Sequence, residues 1–338
     1  MTGPKTELLN PVFIVGMNGS GTGALTRGLA QHSDLYAFPG ETRIFGHYLQ
    51  TEPQFGDLSD DDNFRALLRD VRTNSALTAR HGDQEVPEPE DWRELPRTVG
   101  GALDAAFGYF MRRDGARRWC EKTPMNALHI ERLAAAFPDA QFFHIIRDGR
   151  DAALSFERRF GYSPELSIFR WKRTVASARA QGERIGADRY MEMRYEALTD
   201  EPDAQMRRAL EFLGLAFEDS VLAPRQRSGK EMLASGFVAN SQKWREGLNA
   251  RDLARLEGIA GKMLGELGYE VTNASGDADL SPLRQRLIHN RDGARAIGNN
   301  VRSILKNPRK GMLRRLGRAL GRVNNGMRQA RANRGGDG

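Results

Sequence analysis

Apolar positions along the chain come in short uninterrupted runs, and the segments between them carry a helical period. Pro11-Val-Phe-Ile-Val-Gly16 is the first run, and its abrupt end at glycine predicts a buried strand. Thr22 to Gln31 follows with Leu25 and Leu29 four residues apart, the spacing of one helix face. Three more strand-then-helix pairs are predicted. They are Arg118–Glu121 with Ala127–Phe137, Gln141–Ile146 with Asp148–Arg159, and Arg189–Met193 with Asp203–Leu213. Strands that alternate with helices predict βαβ units, hence an α/β fold in three layers: a central parallel β-sheet flanked by helices.

Other stretches break this rhythm. Residues 51–96 are polar and rich in Asp, Glu and Pro, which reads as a partly helical insertion that shapes a substrate entrance. Leu222–Gln242 is a long connection with few apolar residues. Arg251–Leu267 is an amphipathic helix. The expected organisation is one domain over 1–272, a linker over 273–280 and a basic helical extension over 281–338, with no internal repeat.

Charge changes the picture only at that last boundary. The chain has a formal charge of +7, yet residues 281–338 hold 15 Lys and Arg against 2 Asp and Glu. The preceding domain is therefore net acidic, and no nucleic-acid partner is expected. In the extension, Met312, Leu313, Leu316, Leu320, Val323 and Met327 recur at helical spacing, with Arg314, Arg315, Arg318, Arg322 and Arg328 on the other face. This is the pattern of a helix lying on an anionic membrane surface, or of one packed on the domain or on a partner. The single cysteine, Cys120, excludes an internal disulfide and reads as an inert buried thiol. The six histidines lack ligand spacing, so no metal is expected. Met1–Asn10 is short and polar, and no run reaches the ~18 apolar residues of a spanning helix. A soluble, cytoplasmic protein is expected, peripheral to the membrane if the extension docks there.

Two motifs carry chemistry. Gly16-Met-Asn-Gly-Ser-Gly-Thr-Gly23 stands between a strand and a helix, where glycines let backbone N–H groups close on an anion and the helix adds its positive end. It is an incomplete nucleoside-triphosphate loop, because Thr22-Gly23 replaces the Lys-Ser/Thr pair that holds terminal phosphates and Mg²⁺. The second motif, Phe143-His-Ile-Ile-Arg-Asp-Gly-Arg150, puts Arg147 at the carboxyl end of a strand, with Ser155 two turns into the next helix. Arginine beside a hydroxyl suits a phosphate, although Arg147, Asp148 and Arg150 could equally form an ion network at the helix start.

Together these motifs resemble the sulfotransferase superfamily that uses 3′-phosphoadenosine 5′-phosphosulfate (PAPS), from about Val12 to Tyr269. The resemblance includes Glu121-Lys-Thr-Pro-Met-Asn126, Arg194-Tyr-Glu-Ala-Leu198, Phe212-Leu-Gly214 and Lys243-Trp-Arg245. Glu41-Thr-Arg43 is similar to the tyrosylprotein sulfotransferases and their bacterial relatives. The resemblance implies a P-loop-like fold and PAPS as co-substrate without a metal. Its sulfuryl acceptor would be a hydroxyl of a carbohydrate, lipid, small molecule or protein tyrosine. It further implies a 5′-phosphosulfate loop at Gly19, Ser20, Gly21, Thr22 and Gly23, and 3′-phosphate ligands Arg147, Ser155 and Arg159. Tyr195, Ser228 and Lys243 would be further nucleotide contacts, Glu41 the general base, and Lys122 a cation at the sulfuryl oxygens. Two positions depart from the tyrosylprotein pattern: Gly19 stands where those enzymes have arginine, and Gly23 where they have a hydroxyl residue. The rival readings are a P-loop kinase or NTPase-like phosphotransferase, which would need Mg²⁺, and a non-enzymatic nucleotide-binding membrane adaptor.

Overall fold

Five parallel strands, β1 (Val12–Gly16), β2 (Leu35–Ala37), β3 (Arg118–Lys122), β4 (Gln141–Ile146) and β5 (Tyr190–Arg194), form the central sheet in the order β2-β3-β1-β4-β5. The computed structural model describes residues 10–223, 225–228, 231–234, 237, 241–273 and 276–293, without the side chains of 225–228 and 231–234. Every residue of β1 is buried because both faces of the strand are covered. Phe13 and Val15 enter a core with Phe45, Phe107, Trp119 and Phe142. Val12 and Ile14 enter the opposite core with Leu25, Phe143, Ile145 and Leu210. From β1 the chain runs to the edge strand β2, returns to β3 beside β1, and then crosses to β4 on the other side. The carboxyl end of β1 is therefore a topological switch point, where α/β sheets bind ligands.

The helices are α1 (Thr22–Leu29), α2 (Ile44–Thr51), α3 (Asp61–Thr73), α4 (Ser75–Thr78), α5 (Val99–Arg113) and α6 (Ile130–Ala136), then α7 (Gly149–Phe160), α8 (Pro164–Ile185), α9 (Tyr195–Asp200), α10 (Pro202–Leu213), α11 (Trp244–Gly247) and α12 (Ala250–Glu266). Several differ from expectation. The helix expected over Ala127–Phe137 is split: a 3₁₀ turn runs over Pro124–Leu128, His129 leaves helical geometry at φ −133°, and α6 starts afterwards. The stretch 51–96 is polar only on its outer side, since α3 buries Phe64, Leu67, Leu68 and Val71 in the first core. Asp60 caps that helix by accepting from Asp62 and Asn63 N–H. The connection after Leu222 contains an antiparallel hairpin, β6 (Arg225–Ser228) with β7 (Glu231–Ala234).

The described residues of 10–159 and 163–280 form one compact unit, and residues 160–162 with 281–293 belong to a second. The segment read as a linker is bonded to the first unit over its described part. Gly276 O accepts from Lys262 N, Ala278 N donates to Gly258 O, and Lys172 pairs with Asp277 and Asp279, each at 2.9 Å. Residues 282–293 are helical. The apolar stripe from Met312 to Met327 lies outside the described residues. No described helix is long and apolar enough to cross a membrane.

Candidate active site

The glycine loop turns from β1 into α1 through residues that only glycine accommodates. Gly19 and Gly21 have φ of 93° and 88°, and a Cβ on Gly21 would lie 2.1 Å from the Tyr195 ring. Gly21 is the N-cap of α1 and offers no side-chain oxygen, so the first-turn N–H groups keep their polarity for an anion. Ser20 is fully buried, and its Oγ has no hydrogen-bond partner. A buried hydroxyl without a partner costs free energy unless a bound group answers it, so this loop fits an anionic ligand.

Arg147 joins the loop to the second motif. It leaves the end of β4, lies buried, and its Nη1 donates to Gly19 O at 3.0 Å across 128 residues of sequence. Its guanidinium stands 4.8 Å from the Tyr195 ring centroid. Ser155, buried two turns into α7, places Oγ 3.5 Å from where a Cβ on Gly19 would sit. Arg159 follows one turn later and is exposed. The ion network at this helix start belongs to a different arginine. Arg150 grips Asp148 through Nε at 3.0 Å and Nη2 at 2.7 Å, reaches Glu257 at 2.7 Å, and lies 3.6 Å from the Trp244 ring centroid. Arg147 instead has Asp151 at 3.8 Å. Burial raises the Asp151 carboxyl above the usual carboxylate range, and Arg147 works against that rise.

The same Asp151 fastens the late loop. Its Oδ1 accepts from Trp244 N at 2.9 Å, which holds the neighbouring Lys243 beside α7 with an exposed side chain. Ser228 ends β6, and its side chain is not among those described. Tyr195 opens α9 and is buried, which raises its phenol pKa. Cys120 is buried in the sheet, and burial raises its thiol pKa as well.

Glu41 and Lys122, separated by 80 intervening residues, form an ion pair. Lys122 ends β3 level with Ile14 on the neighbouring β1, and its Nζ lies 3.3 Å from Glu41 Oε1. Glu41 Oε2 takes the Arg43 guanidinium at 2.9 Å. The Glu41 and Lys122 side chains are 25% and 14% exposed, so both can be reached from solvent.

Sequence reasoning gave no role to the residue that builds this corner. Glu121 is fully buried and accepts from Thr42 N (3.2 Å), Thr42 Oγ1 (2.8 Å), Thr123 Oγ1 (2.6 Å) and Asn126 Nδ2 (3.1 Å). Burial raises its carboxyl pKa, and the Thr123 and Thr42 bonds oppose the rise. Thr123 Oγ1 also accepts from Arg43 N at 3.2 Å, and Arg43 is held at φ 60°, a left-handed conformation that side chains disfavour. Glu121 therefore clamps residues 42 and 43 to the end of β3 and sets Glu41 against Lys122. The signal in the sequence was three hydrogen-bonding side chains within six residues, Glu121-Lys-Thr-Pro-Met-Asn126, but the partner of Glu121, Thr42, is 79 residues away. Glu121→Ala should destabilise the fold by about 3–5 kcal/mol, since it strands buried donors. The folded fraction should bind nucleotide normally while its kcat falls. Denaturant titration and saturation kinetics check both halves.

Among the described residues, no three His, Cys, Asp or Glu side chains cluster as metal ligands. A family model described as "Sulfotransferase family" matches residues 11–219. Among curated proteins, the chain is 28% identical over 210 residues to protein-tyrosine sulfotransferase A of Caenorhabditis elegans, covering 54% of each chain. It is 24% identical over 291 residues to the protein-tyrosine sulfotransferase of Drosophila melanogaster, covering 77% of this chain and 51% of that one. The chain thus spans about half the length of these curated relatives. Among solved structures, the sulfotransferase domain from the curacin biosynthetic pathway superposes with a TM-score of 0.54 at 19% identity, covering 79% of this chain and 100% of that one. That likeness extends the agreement to the fold.

Proposed function

The chain belongs to the sulfotransferase family, and from that premise we propose that it transfers the sulfuryl group of PAPS to a hydroxyl-bearing acceptor by in-line displacement. The observation that carries the reading is the meeting of both anion motifs at one residue. Arg147 binds Gly19 O, and Ser155 abuts the same glycine. An adenosine phosphorylated on both the 3′ and the 5′ hydroxyl of its ribose asks for two anion sites held at a set distance, and a single phosphate does not.

PAPS supplies a sulfuryl group already activated by its mixed anhydride. The chain has to hold it, orient an acceptor, take a proton and steady negative charge. Gly19–Gly23 would hold the 5′ end through backbone N–H groups and the Ser20 and Thr22 hydroxyls. Arg147 and Ser155 would hold the 3′-phosphate, with Arg159, Ser228, Lys243 and Tyr195 as further contacts. Glu41 would accept the acceptor's proton, and Lys122, now paired with it, would neutralise charge on the transferring oxygens. Orienting the reactants supplies about 7–11 kcal/mol of the barrier reduction, and each placed donor about 3–4 kcal/mol. Tyrosyl peptides enter the acceptor panel because the relatives are named for protein tyrosine, beside carbohydrates, lipids and small alcohols and phenols.

Adenosine 3′,5′-bisphosphate at one hundred times its Kd should stabilise the fold by about 2.7 kcal/mol, read as a rise in Tm. Adenosine 5′-monophosphate at the same concentration should do far less. Equal shifts would remove the 3′-phosphate site. Transfer of label from ³⁵S-PAPS to a member of the panel tests the activity, and failure across the panel with both nucleotides inert would overturn the reading.

A further inference from the structure

We infer that Arg27 is a further ligand of the nucleotide co-substrate, a cation presented by helix α1 at the end of a phosphate loop that has none. The inference rests on the reading that the chain uses PAPS. From Val12 to Thr26 there is no lysine or arginine, so the loop meets an anion with N–H groups and hydroxyls alone. Arg27 is the first cation after it.

Its place on the helix aims it backward. Residues four apart share a face, and helical side chains lean toward the N-terminus. Arg27 is four residues beyond Gly23, and its Nη1 lies 3.4 Å from where a Cβ on Gly23 would sit. The missing side chain at residue 23 leaves the space in front of the guanidinium open.

Among the described residues no side chain answers this charge. Arg27 Nε is buried without a hydrogen-bond partner, and no ion pair of Arg27 occurs among the described residues. Burial lowers its pKa below the usual arginine range, with Tyr195 opposing the shift. A half-buried guanidinium whose inner nitrogen lacks a partner is a cost to the unliganded fold. The surroundings point to the ligand. Tyr195 packs against Gly21, has the Arg147 guanidinium 4.8 Å from its centroid, and its phenol acts electrostatically on Arg27, so it links both arginines to the loop. A planar guanidinium here matches a phosphate oxygen of adenosine 3′,5′-bisphosphate through charge-assisted hydrogen bonds.

The test compares wild type, Arg27→Met and Arg27→Lys in the full chain, with adenosine 3′,5′-bisphosphate as the probe. Arg27→Met should keep or raise the Tm of the unliganded protein, since an apolar side chain of similar length replaces an unanswered charge. Its Kd for the bisphosphate should rise tenfold or more, and Arg27→Lys should recover part of that loss. Binding by Arg27→Met within twofold of wild type overturns the assignment, whatever its Tm. If Arg27→Met proves less stable, the two variants are compared per folded molecule, and equal affinities overturn it. A wild-type protein that ignores the bisphosphate defeats the functional reading itself. Binding by wild type with an indifferent Arg27→Met defeats only this inference.

Discussion

Replacing Glu41 by glutamine should lower kcat by about 10²–10⁴-fold while leaving the fold and nucleotide affinity in place. Glutamine keeps the length of the side chain and an oxygen for the Lys122 ammonium now 3.3 Å away, but it cannot take up a proton. The loop should hold its shape, because the backbone N–H groups of Thr42 and Arg43 are fastened by Glu121 and Thr123, and Glu41 holds only the exposed Arg43 side chain. Saturation kinetics with ³⁵S-PAPS, together with the nucleotide-induced rise in Tm, separates the two effects. Turnover near the wild-type rate in Glu41→Gln would remove Glu41 from the chemistry. Glu41→Asp retains the base but shortens its reach from Lys122, so it should fall between the two.

Arg147→Ala should abolish the preference for adenosine 3′,5′-bisphosphate over adenosine 5′-monophosphate. A hydrogen bond to a charged group contributes about 1.5–3 kcal/mol, so the affinity ratio should shrink by about ten- to a hundredfold. A drop in affinity shared equally by both nucleotides would place Arg147 at the loop rather than at the 3′-phosphate. The same substitution carries a pH signature. Burial already raises the Asp151 carboxyl, and Arg147, 3.8 Å away, counters that. Without the arginine the folded-state pKa rises further above the unfolded value. An acid so shifted stabilises the fold below its unfolded pKa, and this stabilisation is lost as pH rises through the folded one. Measured as Tm against wild type, the deficit of Arg147→Ala should therefore widen as pH rises above the ordinary carboxylate range.

The legible parts of the fold were those where burial imposes a local period. β1 and β4 read as strands because both faces are covered, and α12 read as a helix because one face stays wet. Helix α5 escaped attention because twelve of its fifteen residues are buried, so its pattern has no polar face to mark a period. Residues 51–96 read as a polar insertion because acidic and basic side chains outnumber the few that matter: Phe64, Leu67, Leu68 and Val71 make a core stripe on α3.

The amino-acid sequence by itself determined the α/β class and the glycine loop between β1 and α1, and it marked Arg147 and Ser155 as a candidate anion pair, because each depends on residue types at short spacing; Glu41 and Lys122 entered only through the family resemblance. Tertiary structure alone decided which arginine near the second motif serves which partner. Arg147 and Arg150 are three residues apart on either side of a helix start, and the sequence left both open to an ion network with Asp148. The packing of α12 and Trp244 takes Arg150 into an ion network with Glu257, while the parallel pairing of β1 with β4 carries Arg147 to Gly19. The same holds for Glu121, whose hydrogen bonds reach across 79 residues to Thr42, and for Arg27, whose buried Nε lacks a partner among the described residues only once the chain is folded. Desolvation and long-range pairing arise only when distant segments are packed together, and no local pattern encodes them.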